Sequence, residues 1–137
     1  MNIFNLTQHP ASAEQLEAGV VDPTRQERER ISALLTFTAL PSEGEITQRA
    51  EALAKIVLAH HLWWKGTDEY AGCYMPATMI GGAPYLMAAL EAALHAIDAC
   101  PVYAFSQRES AEEVQADGSI RKVAVFRHAG FIVASPR

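Results

Sequence analysis

Residues 77–98 read Ala-Thr-Met-Ile-Gly-Gly-Ala-Pro-Tyr-Leu-Met-Ala-Ala-Leu-Glu-Ala-Ala-Leu-His-Ala-Ile-Asp. Thr78, Met79 and Ile80 suit a short buried strand. Gly81-Gly82 lets the backbone turn without Cβ clashes, and Pro84 fits the first helical position, where its missing N–H is no loss. Leu86, Leu90, Leu94 and Ile97 then recur at helical spacing, so one stripe of the helix packs against a sheet. A strand that enters a helix through glycines presents N–H groups at the positive end of the helix dipole with no side chain in front of them. That arrangement suits an anion.

The totals bound what such a site can serve. The chain has 137 residues, of which 50% are hydrophobic, enough for a real core in one α/β domain spanning residues 1–137. A net charge of −5 argues against duplex nucleic acid and acidic membranes as partners, both of which call for a basic surface. Cys73 and Cys100 form no paired motif and no charged-then-apolar leader opens the chain, so a cytoplasmic protein with reduced thiols is expected. The longest apolar stretch, residues 77–90, is too short to span a bilayer and is broken by Gly-Gly and Pro84.

Outward from the central stretch, residues 2–8 read as a first strand ending before His9-Pro10. Ser12 and Gln15 form a capping-box pattern that opens a short helix to Ala18, stopped at Gly19. Val20-Val21 is a brief strand or a tether. Asp22-Pro23 opens a helix to Leu34 or Leu35, whose mixed Arg25–Arg30 run reads as a solvated face. Residues 36–40 suggest a second strand closed by Pro41. Ser42 and Glu45 cap a long helix from Glu43 to about Leu62. Residues 63–76 carry glycines and aromatics with no period, and read as a surface excursion or as a flap over the glycine turn. Cys100 to Ser106 is a strand, Gln107 to Ser110 a polar loop, and Asp117-Gly118 a hairpin turn between Glu113–Gln115 and Ile120–Phe126. Residues 130–133 close the core. Two strand-to-helix turns point to a mostly parallel sheet with helices on its faces and a C-terminal antiparallel hairpin.

In open α/β sheets ligands bind beyond the carboxyl ends of the parallel strands. That rule gathers Thr7, Gln8 and His9, then Ser42, then Gly81 and Gly82, and finally Ser106, Gln107 and Arg108. Their N–H groups, hydroxyls, amides, imidazole and guanidinium suit a phosphate or ribose better than an apolar ligand. Arg108 is the candidate to grip the anion bidentately, with a surface salt bridge to Glu109 or Glu112 as its plain alternative. His9 is the acid–base candidate, with a strand-end cap as its alternative. His60 and His61 point to different sides of a helix, His95 flanks the apolar stripe, and His128 follows Arg127 near the last strand. No HxH, HExxH or CxxC spacing occurs, so neither metal nor cofactor is expected. GxGxxG, GxxxxGK[ST] and GxSxG are absent as well.

Leu6-Thr-Gln-His-Pro-Ala11 is similar to the strand and His-Pro opening of small stand-alone CRISPR-associated proteins and viral relatives that bind or cleave cyclic oligoadenylate second messengers. Ala39-Leu-Pro-Ser42 resembles the Leu-Pro turn that opens their next helix. Met79-Ile-Gly-Gly82 matches a related strand, Ile-Gly-His and helix pattern only in part: where the viral type carries a catalytic histidine this chain has Gly82, so that chemistry does not carry over. The resemblance implies a Rossmann-like three-layer sandwich and a homodimer with the ligand across its two-fold axis. It also implies ring-nuclease-like cleavage without metal, which positions a ribose 2′-hydroxyl in line with its phosphate with help from His9 and Arg108.

The function expected first is therefore recognition of a small anionic ligand, a nucleotide or cyclic oligonucleotide, with metal-independent phosphodiester cleavage as its catalytic form. Its rivals are a non-catalytic protein-interaction module of a mobile element, docking through residues 63–76, and a small-molecule enzyme with Cys73 as nucleophile.

Overall fold

The computed structural model describes residues 2–63 and 77–134. In chain order the elements are β1 (Ile3–Asn5), α1 (Ala13–Glu17), β2 (Val20–Val21), α2 (Arg25–Leu35), α3 (Glu43–Trp63), β3 (Ala77–Met79), α4 (Pro84–Ala96), β4 (Cys100–Val114) and β5 (Ile120–Val133). They build a five-stranded sheet in the order β2-β1-β3-β4-β5. β1 pairs in parallel with β2 and with β3, and β3 in parallel with β4. Only β5 runs antiparallel, against β4. The chain thus winds outward from β1 to β2, then returns past β1 to β3, and its winding direction reverses between β1 and β3.

Alternation along the short strands divides the core in two. Phe4, Leu6 and Ile80 lie beneath Ile31 and Leu35 of α2, Leu53 and Val57 of α3, and Leu86, Leu90 and Leu94 of α4. Burying side chains of this size contributes roughly 1.5–3 kcal/mol each. On the other face Ile3, Val20, Ala77, Met79, Cys100 and Val102 cluster with Ala11, Phe131 and Val133. The α/β class, the mostly parallel sheet and the C-terminal hairpin agree with the sequence reading. The layering is less regular than a flat sandwich: α1 is five residues long and buries none of them, and the sheet curls into a half-barrel. That curl brings β5, the far edge, to the helix beside β2, where Arg127 stands 4.0 Å from Glu14. A long two-stranded ribbon twists more than a wide sheet, and the register shift between Phe105 and Ser106 adds to it.

Several boundaries differ from the sequence reading. No strand forms at residues 36–40, where Leu40 is 98% exposed and has nothing to pack against. The segment is instead gathered by Arg49, whose Nη1 donates to Leu34 O and Thr36 O at 3.3 and 2.6 Å and whose guanidinium lies 4.3 Å over the Phe37 ring. The N-cap of α2 is Thr24, reciprocally bonded with Glu27, and not Asp22. Gln107–Ser110 is no loop, because β4 continues through it to Val114 and pairs with β5 throughout. Cys100 is disulfide-bonded, so the expected reduced thiol is corrected. Of the excursion expected at residues 63–76, Trp63 ends α3 and the rest, with Cys73, lies outside the described residues. No described helix is long and apolar enough to cross a membrane.

Candidate functional site

The reversal between β1 and β3 sets the segments that follow these two strands side by side. In doubly wound sheets this switch point is where a crevice opens. Leu6 N donates to Met79 O and Ile80 N to Val102 O, so the segments stay registered for one residue beyond β1 and β3 before they diverge. Between them lies a cavity of about 440 Å³ lined by Thr7, Gln8, His9, Pro10, Gln15, Met79, Ile80, Gly81, Gly82, Tyr103 and Ala104.

A buried polar cluster holds the His9 side of the cavity. Asn5 is 0% exposed, and its Nδ2 donates to His9 O and to Asp22 Oδ1, both at 2.8 Å. Asn5 Oδ1 accepts from the Thr7 N–H at 3.0 Å and the Thr7 hydroxyl at 2.6 Å. Asp22 also accepts from Ala11 N at 3.0 Å and stands 3.2 Å from the Arg28 guanidinium. Gln8 Nε2 donates to Thr36 Oγ1 at 2.8 Å, which ties the loop to the end of α2. The loop is therefore set by the side chains of Asn5 in β1 and of Asp22 and Thr36, which flank α2, while the His9 ring is exposed and makes no hydrogen bond or ion pair among the described residues.

On the other side, Gly82 has φ +150°, a conformation that side-chain-bearing residues rarely adopt. Among the described residues the N–H groups of Gly81 and Gly82 have no hydrogen-bond partner. α4 begins at Pro84 with no side-chain cap, so its dipole also faces this end. A Cβ at Gly81 would come 3.7 Å from Thr7 Cγ2, across the gap between the two loops. Tyr103 forms part of the wall and donates its hydroxyl to Glu91 Oε2 at 2.8 Å. Burial, with that hydrogen bond and the charge of Glu91 added, pushes its phenol up to about 12. None of the described lining residues is acidic. The cavity therefore offers main-chain donors, an unengaged imidazole and amides to a negatively charged guest.

The sequence-derived candidates divide accordingly. Thr7, Gln8, His9, Gly81 and Gly82 come together in the lining, whereas Ser42, Ser106, Gln107 and Arg108 are not part of it. Ser42 caps α3, its Oγ accepting from Glu45 N at 3.1 Å, and since no strand precedes it, it is not at a strand end. Ser106, Gln107 and Arg108 lie within β4, opposite His128, Arg127 and Phe126 of β5. Gln15 and Tyr103 were missed. Gln15 carries an evident cap pattern that hides a second role, and Tyr103 is signalled by its place one residue past Val102, the last β4 residue paired with β3. Of the other histidines, His60 lies with its ring 4.3 Å from that of Phe4 and His128 with its ring 4.8 Å from that of Phe131, both pairs tilted. No group of three or more metal-binding side chains occurs among the described residues.

An α/β chain with a donor-lined cavity at its switch point is the class these observations define. The chain belongs to the uncharacterized protein MJ1673 family, which it matches over residues 1–132. No curated protein and no solved structure matches it.

Proposed function

We propose that the cavity between the β1 and β3 ends binds a small phosphate-bearing anion of the nucleotide or cyclic-oligonucleotide class. The observation that carries this is the meeting of the Gly81 and Gly82 N–H groups and the His9 imidazole, which have no partner among the described residues, in a cavity whose described lining holds no carboxylate. Main-chain donors at a helix N-terminus bind phosphate oxygens without a specialised side chain. The winding of β1, β2 and β3 supports a Rossmann-like placement of the ligand at the switch point. The volume of about 440 Å³ falls in the lower part of the range for small-molecule sites and suits one nucleotide unit. A cyclic oligoadenylate is larger than one such cavity, and a homodimer whose two cavities share the ring accommodates more of it.

In the catalytic form of this reading His9 takes the proton from a ribose 2′-hydroxyl placed in line with the adjacent phosphate. The 2′-oxygen forms its bond to phosphorus as the bond to the 5′-oxygen breaks, and that oxygen takes a proton from solvent water as it leaves, so the products are a 2′,3′-cyclic phosphate and a 5′-hydroxyl. The backbone donors of Gly81 and Gly82 hold the charge that grows on the phosphate. Arg108 is given no part in the cavity of its own chain.

Calorimetric titration with cyclic oligoadenylates, AMP and ATP tests this, with Gly81→Val and His9→Ala beside the wild type. Binding to at least one of these ligands, weakened at least about tenfold by Gly81→Val and to a smaller extent by His9→Ala, is the expected result. Silence with all of them removes the proposal. Binding without product formation in the wild type removes the phosphodiesterase and leaves the binding site.

A further inference from the structure

Beyond Val102, where the register with β3 ends, β4 runs on to Val114 with only β5 beside it among the described residues. This ribbon exposes Val114 at 71%, Ile120 at 63% and Phe126 at 69%. A two-stranded ribbon is marginal in water by itself, and a long open edge is a template for another strand. Ala134 N donates to Pro101 O, which therefore faces β5, and Ile80 N to Val102 O, which faces away. The extra residue at the register shift is Ala129 in β5, since Phe105 pairs with Gly130 and Ser106 with His128, so the alternation of β4 runs on unbroken. The main-chain groups of Ser106, Arg108, Ser110, Glu112 and Val114 consequently point to the open edge.

The charges along that edge are self-complementary. Antiparallel pairing of β4 with itself about Ser110 sets Arg108 opposite the partner's Glu112, Glu112 opposite the partner's Arg108, and Gln107 opposite the partner's Glu113. Arg108 and Glu112 make no ion pair within the described chain. Moving the centre to Ala111 instead sets Glu109 against the partner's Glu113. The β5 edge offers no such match: it carries Arg121, Lys122 and Arg127 and no acid, and pairing about Ala124 sets Arg121 against the partner's Arg127. We infer that the β4 edge of the ribbon pairs with the same edge of a second copy of this chain, with the two-fold axis at Ser110, giving a four-stranded sheet β5-β4-β4-β5. A closed, isologous interface of this kind removes the open edge from both chains. It stands independently of what the cavity binds.

Sedimentation velocity across a concentration series tests it on the full chain. The wild type is expected to be a dimer. Arg108→Glu and Glu112→Arg each turn two attractions into repulsions and weaken the dimer by about tenfold or more, while the double exchange Arg108→Glu with Glu112→Arg brings it back to within about threefold. Recovery in the double exchange separates the interface from a folding defect. Ser110→Pro removes an N–H that points away from β5 and gives a monomer whose circular dichroism is unchanged. A wild type that stays monomeric at high micromolar concentration overturns the inference, as does a dimer that both single reversals leave intact.

Discussion

The Asn5 side-chain amide donates to Asp22 Oδ1 at 2.8 Å and so joins the end of β1 to the start of the segment that leads into α2. Through its other hydrogen the same amide holds His9 O, so the position of the imidazole loop depends on a residue distant in sequence. Replacing Asp22 by Ala leaves the Ala11 N–H and one Asn5 donor without acceptors and Arg28 without its ion pair. Orphaned donors of this kind cost about 1–3 kcal/mol each, and a net loss of about 2–3 kcal/mol in urea unfolding is expected. Asp22→Asn keeps an acceptor and should lose less than half as much. Equal loss in both variants would mean that the charge on Asp22, and not its acceptor geometry, orders the loop.

The two glycines of the turn separate stability from binding. Gly82→Ala forces a side chain into φ +150°, which costs about 1–3 kcal/mol, although its Cβ would meet Met87 Cε and Leu35 Cδ2 only at ordinary distances of 3.5 and 3.7 Å. Gly81→Ala carries no such backbone penalty, and its Cβ clears Thr7 Cγ2 by 3.7 Å. The thermal midpoint should therefore fall by several degrees in Gly82→Ala and by little in Gly81→Ala. A nucleotide titration should weaken in both. A midpoint for Gly82→Ala equal to that of the wild type would show that the turn adopts another conformation in solution.

How far the sequence told this in advance depends on where the controlling contacts lie. Gly81-Gly82-Ala-Pro84 was legible because local chemistry decides it: glycine conformation, a proline at the first helical position and a leucine stripe all act within a few residues. The Asp117-Gly118 turn was legible for the same reason. Thr36-Phe-Thr-Ala-Leu40 has strand-like residues, yet its fate is decided by Arg49 from the next helix, a tertiary contact with no local signature. The polar run Gln107-Arg-Glu-Ser110 looked like a loop because neither of its faces is buried against the body of the protein, and an exposed ribbon leaves no apolar alternation to read. Half of the site followed from strand ends. Tyr103 entered it as the residue just past the end of the β3 pairing, and Gln15 through the return of α1, which periodicity does not encode.

Tyr103 gives the site a pH signature. Burial and the hydrogen bond to Glu91 hold its phenol up to about 12 in the folded chain, above the ordinary value of 10.0. The unfolded chain releases this proton first as the pH rises, so the contribution of Tyr103 to stability is complete below pH 10 and fades between there and about pH 12. Unfolding measured from pH 8 to 11.5 should show stability falling in the wild type. Tyr103→Phe should be less stable at pH 8, because Glu91 loses its donor, and should show a shallower decline above pH 10. Parallel declines in the two proteins would assign the alkaline loss to other groups.

Arg49 is the last joint on which the site depends, since it closes the end of α2, to which Gln8 is tied. Its guanidinium makes three kinds of contact at once: to Leu34 O and Thr36 O, to Glu45 Oε1 at 2.9 Å, and over the Phe37 ring. A planar fork can serve carbonyls and a carboxylate together while stacking on an aromatic face, and a lysine ammonium cannot. Arg49→Lys is therefore expected to lose about 1–2 kcal/mol in denaturant unfolding, most of the loss expected for Arg49→Ala, despite the retained charge. Because the carbonyls belong to the C-terminal turn of α2 and the residue after it, the loss should appear locally as faster amide exchange near residues 33–37. The loosening should reach Gln8 through Thr36 Oγ1, which accepts from Gln8 Nε2 and itself donates to Ser32 O at 2.7 Å. If Arg49→Lys unfolds like the wild type, charge alone suffices at this joint, and the ordering of the loop beside His9 must rest on Asn5 and Asp22.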